Sequence, residues 1–330
     1  MAIALEIKEH ILSAKNIVIT SHKGPDGDSI GSSLGMLRII RALGKEAQIC
    51  HPDPCPSFLE WTKEGDEIID MENSPERVTE LMQNADLIFS LDYNGIGRIG
   101  RDMAPLLEAA AGKKIMIDHH LDPEDFADVM ISRPEVCSTS QLVIEWLEEI
   151  DKSLMNESIA APLYLGMMTD TGSFRFPSVT AKTHELLAWL LASGLNHARV
   201  HEETFDNNRV DRLKLRGFAI AEKLELIPEH KAAIISLTAE ELERFNFIKG
   251  DTEGLVNVAL SIEGVSLAVF MSEKEGKIKM SFRSVGDIRA NQIAGDHFDG
   301  GGHKNAAGGI SDLSMNETIE KVKKVIPSYV

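Results

Sequence analysis

Over the first 120 residues, short apolar, β-branched runs at 16–20, 47–50, 87–91 and 114–118 alternate with helix-period stretches at about 29–43, 75–84 and 102–111. Consecutive strands separated by a helix-length connection cannot close as hairpins. They form a parallel sheet with covering helices. Gly44, just past the first helical stretch, is a helix stop. In open parallel sheets ligands collect beyond the carboxyl ends of the strands. Polar residues directly after each apolar run are therefore where chemistry is expected.

The later sequence changes pattern twice. Residues 138–227 read mostly as helix, at 140–150, 157–169, 181–193 and 210–227, the last with Leu213, Leu215, Phe218, Ile220, Ala221 and Leu224 set among charges. From Lys231 strands are expected at 232–237, 265–271 and 277–282, with helices near 239–245, 253–261 and 315–325. Ser272-Glu-Lys-Glu-Gly276 joins two of these strands as a hairpin turn. The expected class is α/β: a parallel-sheet domain over 1–195, a helical connector over 196–228, and a smaller α/β domain over 229–330.

The 330 residues carry 34 Lys+Arg against 52 Asp+Glu, a formal net charge of −18. That sign argues against long duplex nucleic acid, whose non-specific binding needs a basic surface that releases counterions, and against an anionic membrane face. Three cysteines, Cys50, Cys55 and Cys137, make no disulfide framework, and two of them with His51 fall short of a four-ligand zinc pattern. Residues 1–15 alternate apolar and charged side chains, without a signal-peptide apolar block. The expectation is a cytoplasmic protein with no membrane partner.

Acids and histidines gather at the strand ends. The first run leads into Ser21-His22-Lys-Gly-Pro-Asp26-Gly-Asp28-Ser29, a loop that glycine and proline bend before the helix. Asp28 read alone also suits a helix N-cap. The third run ends Leu91-Asp92-Tyr93, and the fourth ends Ile117-Asp118-His119-His120. Asp170 closes an apolar helix, where an unpaired carboxylate would oppose the helix dipole and be costly to bury. A cation removes both objections. His22, Asp26, Asp28, Asp92, His119 and Asp170 together form a thiolate-free carboxylate–imidazole set that suits manganese, and magnesium or zinc less well. Six ligands exceed the needs of one cation that keeps a position open. Two divalent cations bridged by a carboxylate use the set economically and suit in-line displacement at phosphorus.

A second signal is Gly300-Gly301-Gly302-His303-Lys304, followed by Ala306-Ala-Gly-Gly309. Three glycines leave backbone N–H groups available to an anion, and His303 and Lys304 add charge. Between 277 and 304 five Lys/Arg face three Asp, a local reversal of sign in an acidic chain. By contrast, 58–86 holds nine acids against Lys63 and Arg77, which is a solvated face. Only 5% of residues are aromatic, too few for a long single-strand stacking channel.

With these residues in place the chain resembles the DHH phosphoesterase superfamily. The resemblance is carried by His22-x3-Asp26-x-Asp28, by Asp92 after its strand, by Asp118-His119-His120, and by Thr169-Asp170-Thr171-Gly172. The run Gly300-Gly-Gly-His303-x2-Ala-Ala-Gly308 resembles the DHH-associated C-terminal domain, so the likeness spans nearly the whole chain. Within the superfamily the chain is most similar to the compact NrnA-type oligoribonucleases and 3′-phosphoadenosine 5′-phosphate phosphatases. The resemblance implies that His22, Asp26 and Asp92 hold one manganese. Asp28, Asp92, His119 and Asp170 would hold the second, with Asp92 bridging. It further implies that Asp118 orients the histidines and that His120 contacts the scissile phosphate or protonates the leaving oxygen. Arg283, Gly300, Gly301, Gly302 and His303 would hold the other end of the substrate, and Arg98 and Arg175 are candidates for phosphate contact.

The implied activity is manganese-dependent hydrolysis of short oligoribonucleotides to mononucleotides, and of 3′-phosphoadenosine 5′-phosphate to AMP. A cyclic or linear di-adenylate phosphodiesterase is the nearest rival. An inorganic pyrophosphatase is disfavoured by the glycine-histidine segment, and a long single-strand exonuclease by length and acidity. A homodimer is implied by the resemblance alone.

Overall fold

The computed structural model describes residues 2–330, which divide into two compact units, the first ending at Asn207 and the second spanning 208–330. In the first unit α1 (Ala2–Ser13) leads into β1 (Ile17–Thr20), α2 (Gly27–Ala42), β2 (Ala47–His51) and β3 (Ile68–Asp70). Next come α3 (Pro75–Asn84), β4 (Leu87–Leu91), α4 (Ala104–Ala109), β5 (Lys113–Asp118) and β6 (Val129–Ser132). Helices α5 (Thr139–Ile150), α6 (Glu157–Asp170), α7 (Ala181–Ala192) and α8 (His197–His201) complete it.

The six strands form one sheet in the order β3-β2-β1-β4-β5-β6, all parallel. Strand order reverses direction between β1 and β4, and such a switch point opens a crevice at the carboxyl ends of the two strands. The register pairs Thr20 with Ser90 and Leu91 with Ile117. Residues just past β1, β4 and β5 therefore lie level along one edge. Both sheet faces are covered. Ile17, Ile19, Leu87 and Phe89 pack in the larger core with α1, α2, α5 and α6, whereas Val18 and Ile88 pack with α3 and α4. Alternate residues of one strand feeding opposite cores is the period-two geometry of a doubly covered sheet.

Helix α2 lies against α6 along a glycine seam. Methyl groups at Gly27, Gly31 and Gly35 would overlap Thr169, the Pro162 carbonyl oxygen and Leu163 respectively. The spacing of four keeps all three glycines on one helix face. Pro162 lies within α6 and has no N–H to give the Ser158 carbonyl. The buried Arg38 of α2 donates to that carbonyl instead, Nη1 to O at 2.6 Å, while its Nε meets Asp66 at 2.8 Å. The lost helix bond is thereby replaced from the neighbouring helix.

The second unit contains α9 (Val210–Glu222), β7 (Leu224–Ile227), β8 (Ala232–Leu237), α10 (Ala239–Arg244) and α11 (Leu255–Leu260). It continues through β9 (Leu267–Lys274), β10 (Lys277–Ser284), α12 (Ala290–His297), β11 (Gly301–His303), β12 (Ala306–Ser311) and α13 (Met315–Val325). The sheet order is β11-β12-β10-β9-β8-β7, antiparallel except for β8 beside β9. The structure departs from the sequence pattern here, most clearly at two places. The expected helix over 210–227 ends at Glu222, because 224–227 pairs with Ala232–Ile235 as an edge strand. The glycine run forms a β-hairpin and not an open loop. Methyl groups at Gly300 and Gly302 would strike the Gly308 and Ala306 carbonyls, so the opposite strand requires glycine there. No helix among the described residues is long and apolar enough to cross a membrane.

Gly31→Val should test the seam, since overpacking a close helix contact costs about 1–3 kcal/mol. The expected result is a lower urea midpoint with unchanged slope; a midpoint equal to wild type would contradict the close α2–α6 approach.

Candidate metal centre

The ligand-type side chains reach the β1/β4 crevice from several elements. The loop after β1 carries His22 and Asp26, and Asp26 is the N-cap of α2: its Oδ1 accepts from the N–H groups of Asp28 (3.0 Å) and Ser29 (3.1 Å). The cap is thus Asp26, which leaves Asp28 in the first turn, fully buried, with its carboxylate turned toward α5. Gly166 of α6 makes room there, because a methyl at that position would lie 2.5 Å from Asp28 Oδ1. The loop itself is pinned by Asp53, whose carboxylate accepts from Gly24 N.

Asp92 follows β4 with φ +65°, a left-handed conformation that is uncommon for any residue but glycine. Two anchors hold it. Its N–H donates to Ile117 O at 3.1 Å, and the neighbouring Tyr93 is wholly buried with its hydroxyl bonded to Thr20 Oγ1 (2.8 Å) and Ser90 Oγ (2.7 Å). The strain is therefore fixed by the sheet on both sides of the switch point.

The carboxylate of Asp92 is the centre of the arrangement. Its Oδ2 lies 3.3 Å from His22 Nε2, and its Oδ1 lies 3.6 Å from His119 Nε2 and 3.8 Å from His120 Nδ1. His119 Nε2 also lies 3.2 Å from Asp170 Oδ2 and 4.0 Å from Asp28 Oδ2. Donor atoms of His22, Asp26 and Asp92 fall within 4.8 Å of one another, and so do those of Asp28, Asp92 and His119. Asp92 belongs to both groups. Asp118 is fully buried; it accepts His120 Nδ1 at 2.7 Å and the His120 N–H at 2.9 Å. The second ring of the pair is thereby fixed, while His119 Nδ1 faces Val136 O at 3.2 Å.

The sequence-derived arginines of this unit are also placed. The turn holding Arg98 docks on the β1 loop through Lys23 N to Arg98 O at 2.8 Å, and the Arg98 charge helps to lower the pKa of His120. Arg175 is exposed and ties its Nε back to Gly172 O at 2.6 Å, two residues beyond Asp170. In the second unit Arg283 is half-buried on β10, with Nη1 bonded to Phe282 O. Gly301, Gly302 and His303 form β11, directly preceded by Gly300. Sequence reasoning passed over Thr139 and Ser140, whose N–H groups bind Asp28 at 2.6 and 2.9 Å, and Thr139 Oγ1, 3.0 Å from Asp92 Oδ1. Their sole local signal is the capping sequence Ser138-x-x-Gln141.

The electrostatics of this cluster ask for cations. Burial first, then the charges of Asp170 and Asp26, push the Asp28 carboxyl up to about 7. Burial and the neighbouring Asp28 and Asp26 raise Asp92 well above the usual carboxylate range. Burial disfavours the His119 imidazolium, but Asp170, Asp92 and Asp28 outweigh it and hold its pKa well above the ordinary value. His120 is lowered, chiefly by burial, against the support of Asp118. Carboxylates that repel one another, sharing two imidazoles and no thiolate, are a donor set that fits hard or borderline divalent cations. Without cations the cluster keeps protons where a ligand set must shed them.

This fixes a pH dependence. A carboxyl raised to about 7 still holds its proton where the unfolded chain, at about 3.8, has lost it. The folded state then binds more protons, so stability falls as pH rises through that window. The raised His119 acts in the same sense, its contribution being present below the ordinary histidine value of 6.5 and lost as pH rises through the folded value. Cations replace those protons. The rise in Tm produced by manganese should therefore be larger at pH 8 than at pH 5.5; equal increments by differential scanning fluorimetry would sink the assignment.

Known proteins resemble this chain along most of its length. Residues 16–167 match the DHH family, N-terminal domain, and residues 231–329 match the DHHA1 domain. The chain is 30% identical over 315 residues to the bifunctional oligoribonuclease and PAP phosphatase NrnA of Thermus thermophilus, covering 94% of this chain and 89% of that protein. It is 28% identical to the cyclic-di-AMP phosphodiesterase GdpP of Bacillus subtilis over 98% of this chain, and spans 49% of that longer protein. The crystal structure of an exopolyphosphatase-related protein from Bacteroides fragilis superposes with a TM-score of 0.94 at 36% identity, covering 99% of this chain and 96% of that one. Four carboxylates and two histidines converging on a parallel-sheet crevice, with a DHHA1 domain following, place this chain in the DHH family of phosphoesterases.

Proposed function

We propose that the protein hydrolyses short oligoribonucleotides, from dinucleotides to short oligomers, to mononucleotides, and converts 3′-phosphoadenosine 5′-phosphate to AMP, with two divalent cations, manganese by preference. The observation that carries this is Asp92, whose two oxygens face two separate ligand groups. His22, Asp26 and Asp92 would hold one cation; Asp28, Asp92, His119 and Asp170 would hold the other. Such a pair, when bound, supplies Lewis acidity toward phosphate oxygens and toward water.

The remaining roles belong to side chains. Asp118 fixes the His120 ring through Nδ1, which leaves Nε2 to meet the scissile phosphate or hand a proton to the leaving oxygen. Arg98 and Arg175 add positive charge beside the acid cluster. In the second unit Arg283, Gly300, Gly301, Gly302 and His303 recognise the rest of the nucleotide, in a segment where Lys/Arg outnumber Asp. The two units thus act as a catalytic and a substrate-binding domain. Short substrates are favoured by the relative's oligoribonuclease activity and by a net charge of −18, which offers little to a long polyanion. A cytoplasmic homodimer with short RNA or nucleotides as its partners completes the reading. The GdpP likeness favours di-adenylates as the second substrate class.

A manganese-supplemented panel of dinucleotides, longer oligomers, cyclic di-adenylate, 3′-phosphoadenosine 5′-phosphate and pyrophosphate tests the proposal. Dinucleotides and 3′-phosphoadenosine 5′-phosphate should show the highest kcat/KM; equal turnover of dinucleotides and long strands, or a preference for pyrophosphate, would refute it. Asp92→Ala should leave below roughly a hundredth of the wild-type activity, since even partners one step removed from a metal cost up to about 100-fold. Substantial residual hydrolysis would remove Asp92 from the centre.

A further inference from the structure

Thr139 stands at the first position of α5, between two of the acids, yet belongs to no strand-end cluster. Its backbone N–H donates to Asp28 Oδ2 at 2.6 Å, and its hydroxyl lies 3.0 Å from Asp92 Oδ1. The next N–H, of Ser140, takes the other oxygen of Asp28 at 2.9 Å. Thr139, Ser140 and Asp28 are fully buried and Asp92 is 1% exposed, so no solvent competes for these bonds. The partners lie 111, 112 and 47 residues away in sequence, so these are tertiary contacts and not turn chemistry.

A carboxylate has about four acceptor positions on its two oxygens. Neither oxygen of Asp92 can be committed to one side unless the plane of the carboxylate is held. The Thr139 hydroxyl supplies that hold on Oδ1, the oxygen facing His119, while Oδ2 stays directed at His22. An ionised carboxylate accepts and does not donate, so once Asp92 is a metal ligand the hydroxyl is the donor of this bond. Meanwhile the α5 N-terminus fixes the plane of Asp28 through two N–H groups, and its dipole favours the ionised carboxylate there.

We propose that Thr139 is a positioning residue for the metal centre: its hydroxyl sets the rotation of Asp92 so that the carboxylate bridges, and its N–H sets Asp28. This rests on the dinuclear reading above. The residue touches neither substrate nor cation and acts through the two acids.

Thr139→Val isolates the hydroxyl, since it keeps the branched shape and the N–H to Asp28. Thr139→Ser restores the donor. Manganese binding is followed by electron paramagnetic resonance of the free ion, with no substrate present. Wild type should bind two ions. In Thr139→Val the weaker of the two should lose about 10–100-fold in affinity, the range for partners that orient metal ligands. Thr139→Ser should return close to wild type. At saturating manganese, Thr139→Val should lower kcat for a dinucleotide with little change in KM. Should circular dichroism show that Thr139→Val does not fold, Thr139→Ala takes its place with the same expectation. Two ions bound with wild-type affinity in the folded hydroxyl-less variant would overturn the proposal. A wild-type protein that binds no manganese would overturn the dinuclear reading instead.

Discussion

Four carboxylates brought within a few ångströms of two imidazoles, mostly out of water, repel one another, and much of the first unit is arranged around that repulsion. Asp28 and Asp92 are buried, Asp26 caps a helix, and Asp170 ends one. Each position opposes or offsets charge differently. Asp26 caps α2 and accepts two backbone N–H groups, and the N-terminus of α5 gives Asp28 two backbone donors, which favour its ionised form against burial. Asp170 at the C-terminal end of α6 has no such help from its own helix and instead meets His119. The fold therefore compensates the buried Asp28 and Asp92 only in part, and both stay above the usual carboxylate range.

Close backbone approach is what allows the acids to meet. Helix α2 carries Asp28 and lies against α6, which carries Asp170, along Gly27, Gly31 and Gly35. Side chains larger than hydrogen at these positions would push the two helices, and with them two acids, apart. Gly166 serves the same end, since it faces Ser140 and Asp28 where α5 and α6 converge. On the sheet side the left-handed Asp92 is held by Tyr93, whose hydroxyl links β1 to β4 across the switch point. Glycine in the helices and tyrosine in the sheet thus have the same effect, which is to fix the ligand-bearing backbones before any ligand arrives.

Strand ends were legible in the sequence because two independent signals coincided there, an apolar run of strand length and an acid or histidine within two residues of its end. His22, Asp92 and His119 satisfy both, and all three converge. Elements governed by long-range pairing were not legible. Leu224–Ile227 continues the helical spacing of α9, yet its hydrogen bonds go to β8, and pairing outweighed periodicity. Ile68–Asp70 is only three residues long, too short for a period to register. The glycine run carries no strand-forming side chains, and its strand character comes from β12 beside it. Thr139 was silent for a related reason, because a hydroxyl meeting a carboxylate 47 residues away leaves no local spacing to read.

The net charge of −18 is also recast by the site. Counted alone, the acid cluster would repel a phosphate, and a nucleotide would meet a hostile crevice. On the proposed function, two divalent cations would match the formal charge of Asp26, Asp28, Asp92 and Asp170, and the cluster would be neutral before a substrate adds its own charge. The rest of the acidity, such as the nine acids of 58–86, lies on a surface that a short substrate need not cross. A long strand would have to lie along such a surface and would release few counterions in doing so. On that reading acidity and phosphate chemistry are compatible because neutralisation would be local, and the length of the substrate would decide whether locality suffices.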